Sequence, residues 1–314
     1  MPTSVPTDAL EQVFAEHRGL VHGLCYRMTG DAATADDLVQ ETFVRALSRP
    51  PADRSRPWAP WLVTVATRLA IDALRRRQRQ AYVGPWLPGL VELPACAEPV
   101  AADGDPEARL TAARRVSYGW MLALERLSPT MRATLLLADG FGFKGPEIAA
   151  MLGLSAANVR ALLHRARTRM ADVDLDAAPA HAASGGAALM QLMAAAAAGD
   201  LDALQAALRD DVTLHSDGGG EYLAALRPLQ GREDVARFVI GVARKGTVVA
   251  ASLASLNERP WLLAVVDTTL ARAARRSATS IALDRDGRVA AIWTVLATRK
   301  LHGVPFPPTP NTSR

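Results

Sequence analysis

The chain has 314 residues, with 36 Lys and Arg against 32 Asp and Glu and a formal net charge of +4. At roughly 150 residues per domain this length holds about two domains. With 49% hydrophobic and 22% charged residues the chain can bury real cores, which excludes wholesale disorder, and 5% aromatics beside abundant alanine favour helical modules over an all-β chain.

Cys25 and Cys96 are too few for a zinc cluster or a disulfide framework and fit a reduced, cytoplasmic compartment. The opening MPTSVPTDAL has neither a basic nor an apolar signal region. The longest apolar stretch, Ala187–Ala198, is too short and alanine-rich to span a bilayer. The small positive balance permits a nucleic-acid partner without requiring one, so the placement of the basic residues matters more than their number.

Residues 8–80 read as helices with few breakers. In ATADDLVQETFVRAL an amphipathic pattern turns Ala35, Val39, Phe43 and Leu47 inward and groups Asp37, Gln40 and Glu41 outside. Alone this is a solvated acidic face; its place before a basic helix points to a protein partner. That next helix, PWLVTVATRLAIDALRRRQRQ, has an apolar face of Leu62, Val65, Ala66, Leu69 and Ala73. Its opposite stripe is Thr64, Arg68, Asp72, Arg75 and Arg79, with Asp72 spaced i,i+4 to hold Arg68. The loop ahead of it carries Arg54, Arg56 and Trp58. Basic residues beside a ring suit single-stranded DNA. Trp61 reads as core; for Trp58, core and base contact are both open.

Residues 81–108 hold five acids, five prolines and no Lys or Arg, the composition of an extended linker rather than a packed element. Residues 109–171 are helical again and contain GPEIAAMLGLSAANVRALLHRARTRM, a helix-turn-helix pattern. Ala149 permits a close crossing, Gly153 makes the turn, and Val159 and Leu162 face inward with Ile148, Leu152 and Leu154. Ser155 caps the second helix. Ala157, Asn158, Ala161, His164 and Arg165 then face outward, and Arg160, Arg165, Arg167 and Arg169 add charge with no acid nearby, as base-edge and phosphate contacts require. A second linker covers 172–186. Residues 187–303 change class: two helical stretches, then β-like runs at Thr247–Leu256, Trp261–Leu270, Ser277–Leu283 and Val289–Ala297, with Asp286-Gly287 as a hairpin signal. The tail, 304–314, reads as disordered.

This order of parts resembles a known family. YRMTGDAATADDLVQETFVRA with WLVTVATRLAIDALR resembles region 2 of the extracytoplasmic-function sigma factors of bacterial RNA polymerase, and LERLSPTMRATLLLADGFGFKGPEIAAMLGLSAANVRALLHRAR resembles their region 4. YVGPWLP and DGGG are similar to motifs of the subgroup with a C-terminal SnoaL-like domain. The resemblance spans about residues 8–300. It implies two all-α sigma domains followed by an α+β SnoaL-like cone with a curved antiparallel sheet. It further implies that Asp36, Asp37, Gln40 and Glu41 dock on the β′ clamp helices of core polymerase, with region 4 on the β flap. The loop with Arg54, Arg56 and Trp58 would hold a flipped base of the −10 element, and Arg68, Asp72, Arg75 and Arg76 would contact that element during melting. Ser155, Ala157, Asn158, Arg160, Ala161, His164, Arg165 and Arg167 would read the −35 element in the major groove, while the acidic linker threads toward the RNA exit path. One factor per polymerase implies a monomer.

The C-terminal part departs from the subgroup at Glu221 (usually Lys after DGGG), at Asn257–Pro260 (usually N-G-x-P) and at Thr298-Arg299 (usually N-P). His215, Asp217 and Asp267 are the candidate acid–base residues of a SnoaL-like pocket, and His215 and Asp217 alternate onto one strand face. Asp217 opens a run of Gly218, Gly219 and Gly220, whose backbone freedom favours a turn or a regulatory interdomain contact over catalysis. The expectation is a regulated sigma factor, not an enzyme, with no cofactor or metal. The alternative is a one-component helix-turn-helix regulator whose SnoaL-like domain senses a small molecule, binding duplex DNA as a dimer.

Overall fold

A computed structural model describes residues 7–53, 55–80, 82–92, 118–171 and 182–309. The chain divides into two compact units, one of residues 1–81 with 93–175, the other of residues 82–92 with 176–314. Among the described residues no helix is long and apolar enough to cross a membrane.

The first unit begins with α1 (Thr7–Thr29), α2 (Ala32–Ser48) and α3 (Trp58–Arg79). Asp31 starts α2 by accepting a hydrogen bond from the Thr34 amide at 2.6 Å, a side-chain N-cap. Val21, Leu24, Val39, Phe43, Leu62, Ala66 and Leu69 are buried. So is Cys25, whose thiol burial pushes up to about 12. Leu47, expected to face in, is 51% exposed, and Ala46 is buried instead. Steps of four residues drift by about 40° each on a helix of 3.6 residues per turn, so the third step from Ala35 leaves the buried face.

Four further helices follow: α4 (Tyr118–Leu124), α5 (Pro129–Leu135), α6 (Gly145–Leu152) and α7 (Ala156–Ala171). The α5 helix is capped by Ser128, has Pro129 in its first turn, and runs into a π-turn at Leu136–Gly140. Gly153 terminates α6 at φ +69°, a conformation that costs an L residue about 1–2 kcal/mol.

In the second unit α8 (Ala182–Ala198), α9 (Leu201–Ala207) and α10 (Arg232–Ala243) accompany β1 (Leu208–Asp217), β2 (Leu229–Gln230), β3 (Thr247–Leu256), β4 (Arg259–Asp267), β5 (Arg276–Leu283) and β6 (Val289–Val295). The sheet order is β2-β1-β6-β5-β4-β3. Every pair is antiparallel except β1 with β6, which is parallel. Leu189, Leu192, Leu204, Val212, Leu214, Val235, Ile240, Leu262, Ile281 and Ile292 form its core. The four β-like runs of the sequence become β3–β6. Outside those runs stand the two-residue β2, and β1, which the sequence marked only at His215 and Asp217; in β1 Arg209-Asp210-Asp211 interrupts the alternation and the register shifts between Leu208 and Thr213.

Three expectations need correction. The α8 helix starts at Ala182, inside the expected second linker. Gly185 and Gly186 lie buried where a Cβ would come within 3.3 Å of Pro260 and 3.4 Å of Leu253, so the glycines are packing residues there, not linker. The stretch 82–92 of the first linker is packed: Leu87 and Leu90 are each 1% exposed. Proline removes amide donors and stiffens the chain, but it does not stop an extended segment from burying its leucines. Residues 93–108 of that linker, and 109–117 of the next segment, lie outside the described residues. The tail is described as far as Thr309, with the Arg276 guanidinium over the Phe306 ring at 5.2 Å.

Candidate functional site

On α2 the polar side chains Asp36, Asp37, Gln40 and Glu41 are all exposed, while the neighbouring Leu38, Val39 and Thr42 are buried. Glu41 is tied to Arg45 at 2.9 Å, and His22 of α1 lies 3.5 Å from Asp36. Burial lowers the His22 pKa, with Asp36 opposing that shift.

The segment before α3 turns at Asp53, which accepts from the Ser55 amide and hydroxyl at 3.0 and 2.6 Å and pairs with Arg56 at 3.1 Å. These bonds hold the Asp53 pKa down, the Ser55 hydroxyl contributing most. Arg54 lies outside the described residues. Trp58 and Trp61 are half-buried and meet edge-to-face at 6.2 Å, so Trp61, read as core, is only partly enclosed. Asp72, Arg75 and Arg76 are exposed. Asp72 does not hold Arg68. It sits 3.8 Å from Arg75, and Arg68 Nε donates to the Met151 carbonyl of α6 at 2.9 Å. A carbonyl at a helix end lacks an intrahelical donor and competes well for a guanidinium.

The helix-turn-helix is formed by α6 and α7. Val159, Ile148, Ala149 and Leu162 are buried, and the Ser155 hydroxyl accepts from the Asn158 amide at 3.2 Å. Ser155, Ala157, Asn158, Arg160, Ala161, His164, Arg165 and Arg167 are all exposed. Contrary to the sequence reading, an acid is close: Asp139, on the π-turn after α5, pairs with Arg167 at 2.6 Å and raises the Arg167 pKa. The remaining members form an exposed surface of short, amide and guanidinium side chains, suited to base edges and phosphates.

In the second unit the segment Tyr82–Glu92 is gripped by three distant parts of the chain. Asp217, wholly buried, accepts from the Tyr82 hydroxyl at 2.5 Å, the Leu87 amide at 2.7 Å and the Gly219 amide at 3.0 Å. It also forms an ion pair with the buried Lys300 ammonium. Lys300 donates to the Leu87 carbonyl at 2.6 Å and stands 3.2 Å from the centre of the Trp86 ring. Asn257 exchanges hydrogen bonds with Val91, its amide donating to the carbonyl and its Oδ1 accepting from the amide, each at 3.1 Å. Charged hydrogen bonds of this kind are stronger than neutral ones, and burial makes each costly to leave unmade.

The glycine run shapes this clamp. Gly219 and Gly220 have φ of +61° and +76°, and a Cβ on Gly218 would meet the Tyr222 carbonyl oxygen at 2.6 Å. Tyr82, Trp86, Leu87, Asn257 and Lys300 were not assigned roles from the sequence. The one available signal was the combination of YVGPWLP with a late Lys-Leu pair.

The acid–base candidates are dispersed. His215 is half-buried, and burial lowers its pKa. Asp217 is occupied by the linker. Asp267 is exposed on β4, with β6 and β5 between it and β1. A cavity of about 190 Å³ between the linker and the glycine run is lined by Val83, Tyr222, Leu223, Leu226 and Arg272, with no carboxylate or imidazole.

The sequence of this chain matches two family models, Sigma-70 region 2 at residues 13–80 and Sigma-70, region 4 at residues 120–170. These define a sigma-70-type transcription initiation factor. Over 299 residues the chain is 37% identical to the ECF RNA polymerase sigma factor SigJ of Mycobacterium tuberculosis, across 90% of each protein. It is 31% identical over 201 residues to a probable ECF RNA polymerase sigma factor, SigI, of the same species, covering 63% of this chain and 66% of that one. The crystal structure of M. tuberculosis SigJ matches with a TM-score of 0.67 at 32% identity, covering 94% of this chain and 99% of that one. The chain belongs to the extracytoplasmic-function sigma factors of RNA polymerase, in the form with a SnoaL-like C-terminal domain.

Proposed function

We propose that the protein binds core RNA polymerase and promoter DNA through its two helical regions and is regulated by its own C-terminal domain through the interdomain linker. Asp36, Asp37, Gln40 and Glu41 form the polymerase-facing surface, directed at the β′ clamp helices. Arg56 and Trp58, with Arg54, and the stripe Arg68, Asp72, Arg75 and Arg76 serve the −10 element and its melting. The α7 helix with its capping Ser155, as far as Arg167, reads the −35 element. The observation that supports regulation is the Asp217–Lys300 pair closing on Tyr82–Glu92. A linker held this way is unavailable for the path through polymerase that the family resemblance implies. Asp217 and the run Gly218, Gly219 and Gly220 therefore act by seizing the linker.

The test is run-off transcription on genomic fragments with purified core polymerase, comparing the full chain with its Asp217→Ala variant. New start sites identify a working sigma factor, and a changed output with Asp217→Ala gives the sign of the clamp's effect. Equal output from both refutes the regulatory role. If the chain fails to bind core polymerase yet binds duplex DNA alone as a dimer, it is a one-component regulator instead.

A further inference from the structure

Two arginines and a glutamate in the first unit form a triad, buried at Arg132 and half-buried at Arg77 and Glu125, that the functions above do not use. Arg77, in the last turn of α3, donates to Glu125 Oε2 at 2.5 Å and to the Thr29 carbonyl at 2.7 Å. Arg132 of α5 donates to Glu125 Oε1 at 2.9 Å, to the Met28 carbonyl at 2.7 Å and to the Leu124 carbonyl at 2.6 Å. Arg132 is 2% exposed, and the Glu125 and Arg77 side chains about a fifth. One carboxylate thus joins α3 to the α4–α5 turn, while both guanidiniums cap the carbonyls ending α1. On the same α3 helix, nine residues earlier, Arg68 is bound to the Met151 carbonyl at the end of α6.

We propose that the Arg77–Glu125–Arg132 triad is a latch that closes region 4 onto region 2 and thereby withholds Arg68 from −10 DNA. The inference rests on the reading of Arg68 as a −10 contact. The Met151 bond takes one of the five guanidinium N–H groups of Arg68 and fixes the side chain's direction, so a bidentate approach to a base or phosphate through Nε competes with it. Opening has a physical handle. Arg77→Gln removes only the α3 arm and leaves Glu125 and Arg132 as a charge-balanced pair. Glu125→Gln leaves the buried Arg132 guanidinium without its carboxylate partner and beside the partly buried Arg77, which keeps the nearby Asp31 charge, and this is costly.

The experiment uses the full chain with Cys96→Ser and dyes at Ser48→Cys and Thr168→Cys, both exposed positions outside the proposed interfaces. Energy transfer between the dyes reports closure, and fluorescence anisotropy reports binding to single-stranded 12-mer DNA of random sequence, without polymerase. Both latch variants should lower transfer efficiency. If about a tenth of wild-type molecules are open, affinity for the 12-mer rises about tenfold on opening, and adding Arg68→Ala to Arg77→Gln abolishes that gain.

Unchanged transfer in both variants overturns the latch. Lowered transfer without tighter DNA binding overturns the withholding of Arg68. Loss of helical circular dichroism in both variants makes the triad a core element, and again the proposal fails. Failure of the sigma reading itself shows elsewhere, as absence of polymerase-dependent transcription by the wild-type chain.

Discussion

Replacing Lys300 with methionine removes the cation of the linker clamp while keeping most of the side-chain volume. Lys300 is 3% exposed and Asp217 0%, so the pair is fully withdrawn from water. Breaking a buried ion pair by removing one partner costs about 3–5 kcal/mol. After Lys300→Met the carboxylate retains three donors, from Tyr82, Leu87 and Gly219, which places the loss near the lower end, about 3 kcal/mol. For a domain of roughly 150 residues this lowers Tm by about 6–12 °C. Asp217→Ala forfeits all four donors at once and should cost more. The double variant Asp217→Asn with Lys300→Met removes both charges and should recover part of the loss, a coupling of about 2 kcal/mol in a double-mutant cycle. Calorimetry reads the stability, and chymotryptic cleavage at Tyr82 and Trp86 reads linker release, with rates about 100-fold faster if opening is the limiting population. A Tm shift below about 2 °C for Lys300→Met, or strict additivity in the cycle, would refute the clamp as a buried, coupled pair.

Gly218→Ala places a methyl group 2.6 Å from the Tyr222 carbonyl oxygen and 3.0 Å from the Ala224 Cβ. Because the closest obstacle is backbone, a loss of about 1–3 kcal/mol is expected, together with faster cleavage of the linker; wild-type melting and cleavage would count against the tight turn. Glu258 stands at φ +61° beside Asn257 at +48° in the two-residue β3–β4 turn, where glycine is favoured at the second position. Glu258→Gly should therefore raise stability by about 0.5–1 kcal/mol, measured as a higher urea midpoint, and a lower midpoint contradicts this. His22 and His215 both have folded-state pKa values lowered by burial. The unfolded chain binds their protons first, so their contribution is constant well above pH 6.5 and declines as pH falls through 6.5 toward the folded values. Urea midpoints between pH 8 and pH 5 should fall, with a shallower slope in the His22→Gln and His215→Gln variants; unchanged slopes exclude these groups.

Much of the helical half was legible because its signals are local. The buried set of the helix-turn-helix, Ile148, Ala149, Val159 and Leu162, and the turn at Gly153 lie within fifteen residues of one another, where helical spacing alone orders them. The exposure of Asp36, Asp37, Gln40, Glu41 and of the α7 surface follows from the same periodicity. Four strands were readable from β-branched and apolar runs. The β1 strand was legible only at its His215–Asp217 end, because its charged Arg209–Asp211 step breaks the pattern, and its parallel pairing with β6 supplies the order that the local sequence lacks. The helix start at Ala182 was missed because two glycines that weaken a helix locally are used there for close packing.

What only the tertiary structure decided joins residues far apart in the chain. Asp217, Asn257 and Lys300 meet a proline-rich segment whose composition alone reads as solvated linker. Arg68 leaves its i,i+4 partner for a carbonyl 83 residues away, and Arg77 finds Glu125 across 48 residues. Composition and periodicity determine which helices and strands form and which of their faces are wet, because those depend on neighbours a turn or a pleat apart. Which buried charge meets which depends on desolvation: an ion withdrawn from water must find its counter-ion or a free carbonyl wherever the fold supplies one, and no local pattern encodes that address.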